Sequence, residues 1–162
     1  MENGCIDRVL KAFERYYDVK KEDIEPPFCA EAVFNSHTEQ YFLVKEAKLS
    51  EADSNEYVFF GKTQELGKML LEDLCLTAWN RGLVKAVPRY GHRNSDVSLI
   101  ILSEKIEQDA IKLAKKINFF KSYKFGLWGF SRFKLIIKEL PSGIIAYNRF
   151  GSEYRKILKN IV

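Results

Sequence analysis

Cysteine is scarce, with three in 162 residues, at Cys5, Cys29 and Cys75. The odd count, the wide separation and the lack of any C-x-x-C spacing exclude a disulfide framework, a zinc knuckle and a redox pair. A reducing, cytoplasmic compartment is the expectation. Histidine is scarcer still. His37 and His92 both fall in expected loops, with no H-x-x-x-H or H-E pairing that could start a metal site. Ser36 and His37 are chain neighbours whose side chains point apart, so they make no triad. No G-x-x-x-x-G-K-[S/T] occurs, and Gly126-x-x-Gly129 follows no strand-to-helix turn, which removes the standard nucleotide cradles. No apolar run approaches the roughly 18 residues of a membrane span. Asp7, Arg8, Lys11 and Glu14 interrupt the amino terminus, so no signal peptide is expected there. No cofactor, no metal and no membrane partner are expected.

What the chain does have is core-forming material. It is 46% hydrophobic and 14% aromatic, with 9 glycines and 4 prolines, which excludes disorder. A chain of this length buries about 70% of its unfolded surface, enough for a single domain over residues 1–162 without a staple. The net charge of +4 is unevenly spread: −5 over residues 1–62, +1 over 63–103 and +8 over 104–162. That dipolar layout raises the local concentration of an anionic partner at the carboxyl-terminal half. A merely solvated face is the competing reading.

Hydrophobic spacing predicts the elements. Ile6, Val9, Leu10, Phe13 and Tyr17 recur at helical intervals over 4–17. Lys20 to Glu25 reads as a connector ending at Pro26-Pro27. Period-two patterns predict strands over Phe28–Phe34, Tyr41–Leu49 and Glu56–Phe60, an antiparallel meander. Thr63 is expected to open a helix that stops at Arg81-Gly82. After a loop from Lys85 to Ser95, Val97–Leu102 lacks alternation and reads as a strand buried on both faces. Ser103 is then expected to cap a helix carrying Ile106, Ala110, Leu113 and Ala114. Residues 127–140 alternate again, and Pro141-Ser142-Gly143 turns the chain into a hairpin strand over Gly143–Arg149. Ser152 caps a closing helix. The order α-βββ-α-β-α-ββ-α describes an α+β domain with a mixed, mainly antiparallel sheet and helices packed on it.

This order begins like a restriction-endonuclease-like core, whose chemistry needs an acid on one strand and an acid-x-Lys on the next to hold Mg²⁺ and orient water. Glu31, Glu46 and Lys48 can be fitted to it as catalytic candidates, with Glu46-Ala47-Lys48 as the acid-x-Lys. With 22 acids and 18 lysines, about two acid-x-Lys triplets arise by chance, and two occur, Asp18-x-Lys20 and Glu46-x-Lys48. Glu46-x-Lys48 also falls on the second expected strand, where the nuclease pattern puts it on the third. A mutually neutralising strand face explains these residues as well.

Two stretches are candidates for anion binding. The loop Arg89 to Ser95 combines Arg89 and Arg93 with Tyr90 and Gly91, the ingredients of a phosphate contact. Farther on, Lys121 to Lys138 interleaves Tyr123, Phe125, Trp128, Phe130 and Phe133 with Lys121, Lys124, Arg132 and Lys134. Aromatics beside cations hold single-stranded nucleic acid, each stacked base contributing roughly 1–3 kcal/mol. Phe130 and Phe133 have opposite strand parity, however, so one class of these rings is expected in the core. Arg132, Lys134 and Lys138 share the parity taken to be outward, and with Arg89 and Arg93 they form the expected binding set.

Tyr41 to Leu49, Asn55 to Phe60, Ser95-Asp96-Val97-Ser98 and the glycine–aromatic run Phe125 to Phe133 resemble a family of small uncharacterised bacterial proteins, a domain of unknown function. The resemblance implies a free-standing cytoplasmic domain and brings no activity or catalytic residue with it. The expected function is a non-enzymatic binding or regulatory module whose basic carboxyl-terminal surface meets nucleic acid or an acidic protein. The alternative is an enzyme of restriction-endonuclease-like architecture with an eroded or unrecognised metal-dependent site. A homodimer that buries the aromatic strand region is a third reading.

Overall fold

Fifteen residues from His92 to Ile106 form the strand around which everything else is arranged. The computed structural model describes residues 3–35, 53–88 and 92–161. Among these, helix α1 spans Asn3–Phe13, strands β1 and β2 span Asp18–Lys20 and Ala30–Asn35, and β3 spans Asp53–Leu66. Helix α2 covers Lys68–Lys85, the long strand is β4, and α3 covers Gln108–Lys116. Strands β5, β6 and β7 span Phe120–Ser122, Phe130–Glu139 and Ile145–Tyr147, and α4 covers Arg155–Lys159. The sheet order is β1-β2-β3-β4-β6-β5, with β7 also paired to β6. Both neighbours of β4 run parallel to it, while the outer pairings are antiparallel. The fold is α+β with a mixed sheet.

Both faces of the sheet are covered, which is why Val97–Leu102 reads as a near-continuous apolar run. Val97, Leu99 and Ile101 meet α2 and α3 in one core, together with Phe59, Phe133 and Leu135. Ile100 and Leu102 meet α1 and α4 in the other, with Val58, Phe60 and Ile136. All six residues of the run are essentially inaccessible. The β6–β7 hairpin forms as its turn chemistry dictates, with Gly143 at φ 71.

Several local signals lose to tertiary pairing. Thr63 does not cap a helix; it continues β3, in register with Ser103, and donates its hydroxyl to Ser103 Oγ at 2.9 Å. Ser103 likewise lies within β4 and not at a helix start; α3 begins after Glu107. Gly82 does not end α2. It faces Val97 so closely that a Cβ there would come 2.4 Å from Val97 Cγ2, so the glycine serves close helix–sheet approach. The first helix ends at Phe13, short of Tyr17. The three-residue strands β1 and β5 escape sequence reading because neither is long enough to show a period. The closing segment is a 3₁₀ turn over Gly151–Tyr154 leading into α4. The expected strand Tyr41–Leu49 lies outside the described residues.

Candidate functional site

On the α1 face, the apolar pattern of three adjacent strands is broken at their amino-terminal ends. Glu56 precedes Val58 and Phe60 on β3, Asp96 and Ser98 precede Ile100 and Leu102 on β4, and Lys134 precedes Ile136 on β6. Register brings them together: Glu56 pairs with Asp96, and Ser98 with Lys134. Lys134 Nζ lies 3.2 Å from Glu56 Oε1 and 2.8 Å from Asp96 Oδ2, and it also contacts Glu153. Glu56 accepts further hydrogen bonds from Ser98 Oγ at 2.6 Å, Tyr17 Oη at 2.6 Å and Tyr154 Oη. Glu56, Asp96, Ser98 and Lys134 are all buried. Burial alone disfavours the Lys134 ammonium, but Glu56 and Asp96 outweigh it, so its pKa stands above the ordinary lysine value. Burial and the Glu56 carboxylate push the Tyr17 phenol up as well.

On the Asp96 side, Arg132 carries this cluster to the surface. Asp96 holds the Arg132 guanidinium in a two-pronged pair, Nε to Oδ1 at 3.1 Å and Nη2 to Oδ2 at 3.1 Å. Arg132 is thereby fixed between two rings. Its Cζ lies 5.9 Å from the Phe130 centroid and 4.9 Å from that of Phe150. Phe120, on β5, stacks on Phe130 with centroids 5.6 Å apart and planes 23° apart, and Arg149 covers Phe150 at 5.5 Å. The result is a layered stack, Phe120–Phe130–Arg132–Phe150–Arg149, held together by ring stacking and cation–π attraction. Both ends are open: Phe120 is 59% exposed and Arg149 is exposed.

The loop that delivers Phe150 is rigidly placed. Asn148 accepts from the Leu135 and Gly151 amides, each at 2.9 Å, and donates to the Phe133 and Ile117 carbonyls. Gly151 lies so close to β6 that a Cβ would fall 2.0 Å from the Leu135 carbonyl oxygen. At the other end, the β5–β6 turn runs through left-handed backbone at Lys124, Phe125, Gly126 and Gly129. Two of these are not glycine, a costly conformation held by Gly126 and Trp128 amides donating to the Tyr123 carbonyl. It projects Phe125 wholly into solvent, with Leu127 beside it. Lys121 lies over Tyr123 and Lys124 over Trp128.

The sequence candidates therefore separate. Arg132 belongs to the site, as a half-buried layer of the stack. Lys134 and Lys138 were expected to point outward, and this is corrected: they are 5% and 3% exposed. Alternation shows that two faces differ but not that either is wet, and α1 and α4 cover this one. Lys138 donates to the Leu158 carbonyl at the end of α4, and burial lowers its pKa. Neither lysine is placed to meet a phosphate. Glu31 is engaged by Lys85 Nζ at 2.6 Å. Glu46, Lys48, Arg89 and His37 lie outside the described residues; Arg93 lies in β4, not in a loop. Of the rings in Lys121–Lys138, Phe133 enters the core with Phe119 and Trp79, Phe130 on the opposite face is half-buried, and Phe125 in the turn faces water. Sequence reading missed the Glu56–Asp96–Lys134 cluster, although acids sharing the parity of Phe60 and Ile100 were its visible sign.

The chain belongs to a family defined by sequence, the domain of unknown function DUF8052, whose model matches residues 1–160. No curated protein and no solved structure matches it. No helix among the described residues is long and apolar enough to cross a membrane.

Proposed function

We propose that this chain is a non-enzymatic binding module, cytoplasmic and bacterial, whose basic carboxyl-terminal half engages an anionic partner along the edge formed by β5, the β5–β6 turn and the Arg149–Phe150 loop. The observation that carries the reading is the Arg132-centred stack, which keeps an arginine and three rings in fixed positions at the surface. On that edge, Lys121, Lys124 and Arg149 are exposed and have no carboxylate partner among the described residues. Cations left uncompensated on a rigid support attract a polyanion and release its counterions. The three unbridged cysteines support the cytoplasmic part. Titration with heparin at about 50 and 200 mM salt tests the reading: binding that weakens steeply with salt is expected, and no binding at the lower salt would refute it.

The enzyme reading keeps one supporting observation, two acids and a lysine on three adjacent strands. Against it stands the cluster's own chemistry. Lys134 occupies the centre between the carboxylates, and Tyr17, Ser98 and Tyr154 engage both oxygens of Glu56. Such a cluster works as a support.

A further inference from the structure

We propose that the anionic partner is single-stranded nucleic acid and that the outer face of Phe120 is the platform on which one of its bases stacks; this rests on the polyanion reading above. Phe120 is the last layer of an existing stack. Its inner face is taken by Phe130 at a 23° interplanar angle, while the residue is 59% exposed. A planar π-surface adds to such a stack without rearranging it. The ring is held from behind because Phe130 rests on Arg132, and Arg132 is clamped by Asp96. The platform is therefore ordered before the ligand arrives, and little side-chain entropy remains to be lost.

Cations share the edge with that platform. Lys121 follows Phe120 in the chain, Lys124 and the fully exposed Phe125 occupy the turn, and Arg149 closes the far end of the stack. Rings interleaved with cations suit a polymer whose bases and phosphates alternate. Duplex DNA has its base faces internally stacked and offers none to Phe120. Both broad faces of the sheet are covered by helices, so binding is confined to this edge and spans a few nucleotides. An anionic membrane is the less suitable partner, because the rings are layered side by side along the edge with the Arg132 guanidinium between two of them.

The test compares three probes on the full chain: a fluorescein-labelled oligothymidylate, the same length of duplex, and heparin, which has charge but no bases. Phe120→Leu keeps apolar bulk and removes the π-plane, and Phe120→Trp restores it. Circular dichroism and melting confirm that each variant is folded. Phe120→Leu is expected to weaken oligothymidylate binding about 10-fold, from the usual contribution of one stacked base, to leave heparin binding and the salt slope unchanged, and to be rescued by Phe120→Trp. Equal binding of duplex and single strand, or oligothymidylate affinity indifferent to Phe120→Leu while heparin still binds, overturns the stacking proposal and leaves the polyanion reading in place. Failure of heparin and oligonucleotide alike overturns both. Tighter binding to phosphatidylserine vesicles than to the oligonucleotide overturns the choice of ligand.

Discussion

Asp96 and Arg132 form a pair that straddles the boundary between core and surface: the carboxylate is 4% exposed and the guanidinium 32%. On its inner side Asp96 also holds Lys134 at 2.8 Å. One carboxylate thus fixes a buried lysine and a half-buried arginine at once. Asp96→Asn keeps the shape and removes the charge, leaving Lys134 with less compensation. Breaking a buried pair from one side typically costs about 3–5 kcal/mol. Urea denaturation is expected to show a clear drop in the midpoint, and an unchanged midpoint would place the pair among inert surface bridges.

Lys134 carries the sharper reversal. Were it a solvated strand lysine, Lys134→Glu would change stability by no more than about 1 kcal/mol. Because Lys134 is held by buried Glu56 and Asp96 and by half-exposed Glu153, the same change places a fourth carboxyl group against the three in place of their shared cation. Failure to accumulate as folded protein is expected, whereas Lys134→Met leaves a folded but weakened chain. Normal melting of the Glu variant would contradict the burial.

Gly82 tests the seat of α2 on the sheet. A Cβ at this position would lie 2.4 Å from Val97 Cγ2, so Gly82→Ala is expected to destabilise by about 1–3 kcal/mol despite alanine's better helix propensity. Adding Val97→Ala should recover part of that loss. A Gly82→Ala chain more stable than the parent would show that the approach is looser.

Cys75 gives a pH dependence whose sign is fixed. Burial, with a further contribution from Glu72, raises its pKa above the ordinary 9.0 of a thiol. Below about pH 9 the folded and unfolded chains both carry the proton, and the full stability is present. As pH rises past 9, the unfolded thiol ionises and the folded one does not, so stability falls by up to about 1.4 kcal/mol per pH unit. Comparison of the parent with Cys75→Val between pH 9 and 10 should show a shallower decline in the variant. Identical slopes, or rapid native labelling of Cys75 by a thiol reagent at pH 8, would contradict this.

Much of the scaffold is legible in the sequence alone. Val97–Leu102 announced a doubly covered strand because it lacked alternation, and Pro141-Ser142-Gly143 announced its hairpin. What failed were signals whose meaning depends on distant partners. Thr63 and Ser103 look like caps, yet each extends a strand because the other lies beside it at 2.9 Å. Gly82 looks like a stop, and it is a contact with Val97. The stack is harder still to foresee. Phe120 and Phe150 are thirty positions apart and join only because Arg132 stands between Phe130 and Phe150, a placement that Asn148 and Gly151 set through the Leu135 backbone.

The most direct test of the binding role is charge reversal on the exposed edge with the support untouched. Lys121 and Lys124 are exposed and lack carboxylate partners among the described residues, so changing both to Glu should leave the melting temperature nearly unchanged. Heparin affinity at about 50 mM salt should fall at least 10-fold, and the slope of log affinity against log salt should flatten as fewer counterions are released. Affinity and slope equal to those of the parent, in a variant that melts normally, would contradict the assignment of this edge as the anion-binding surface.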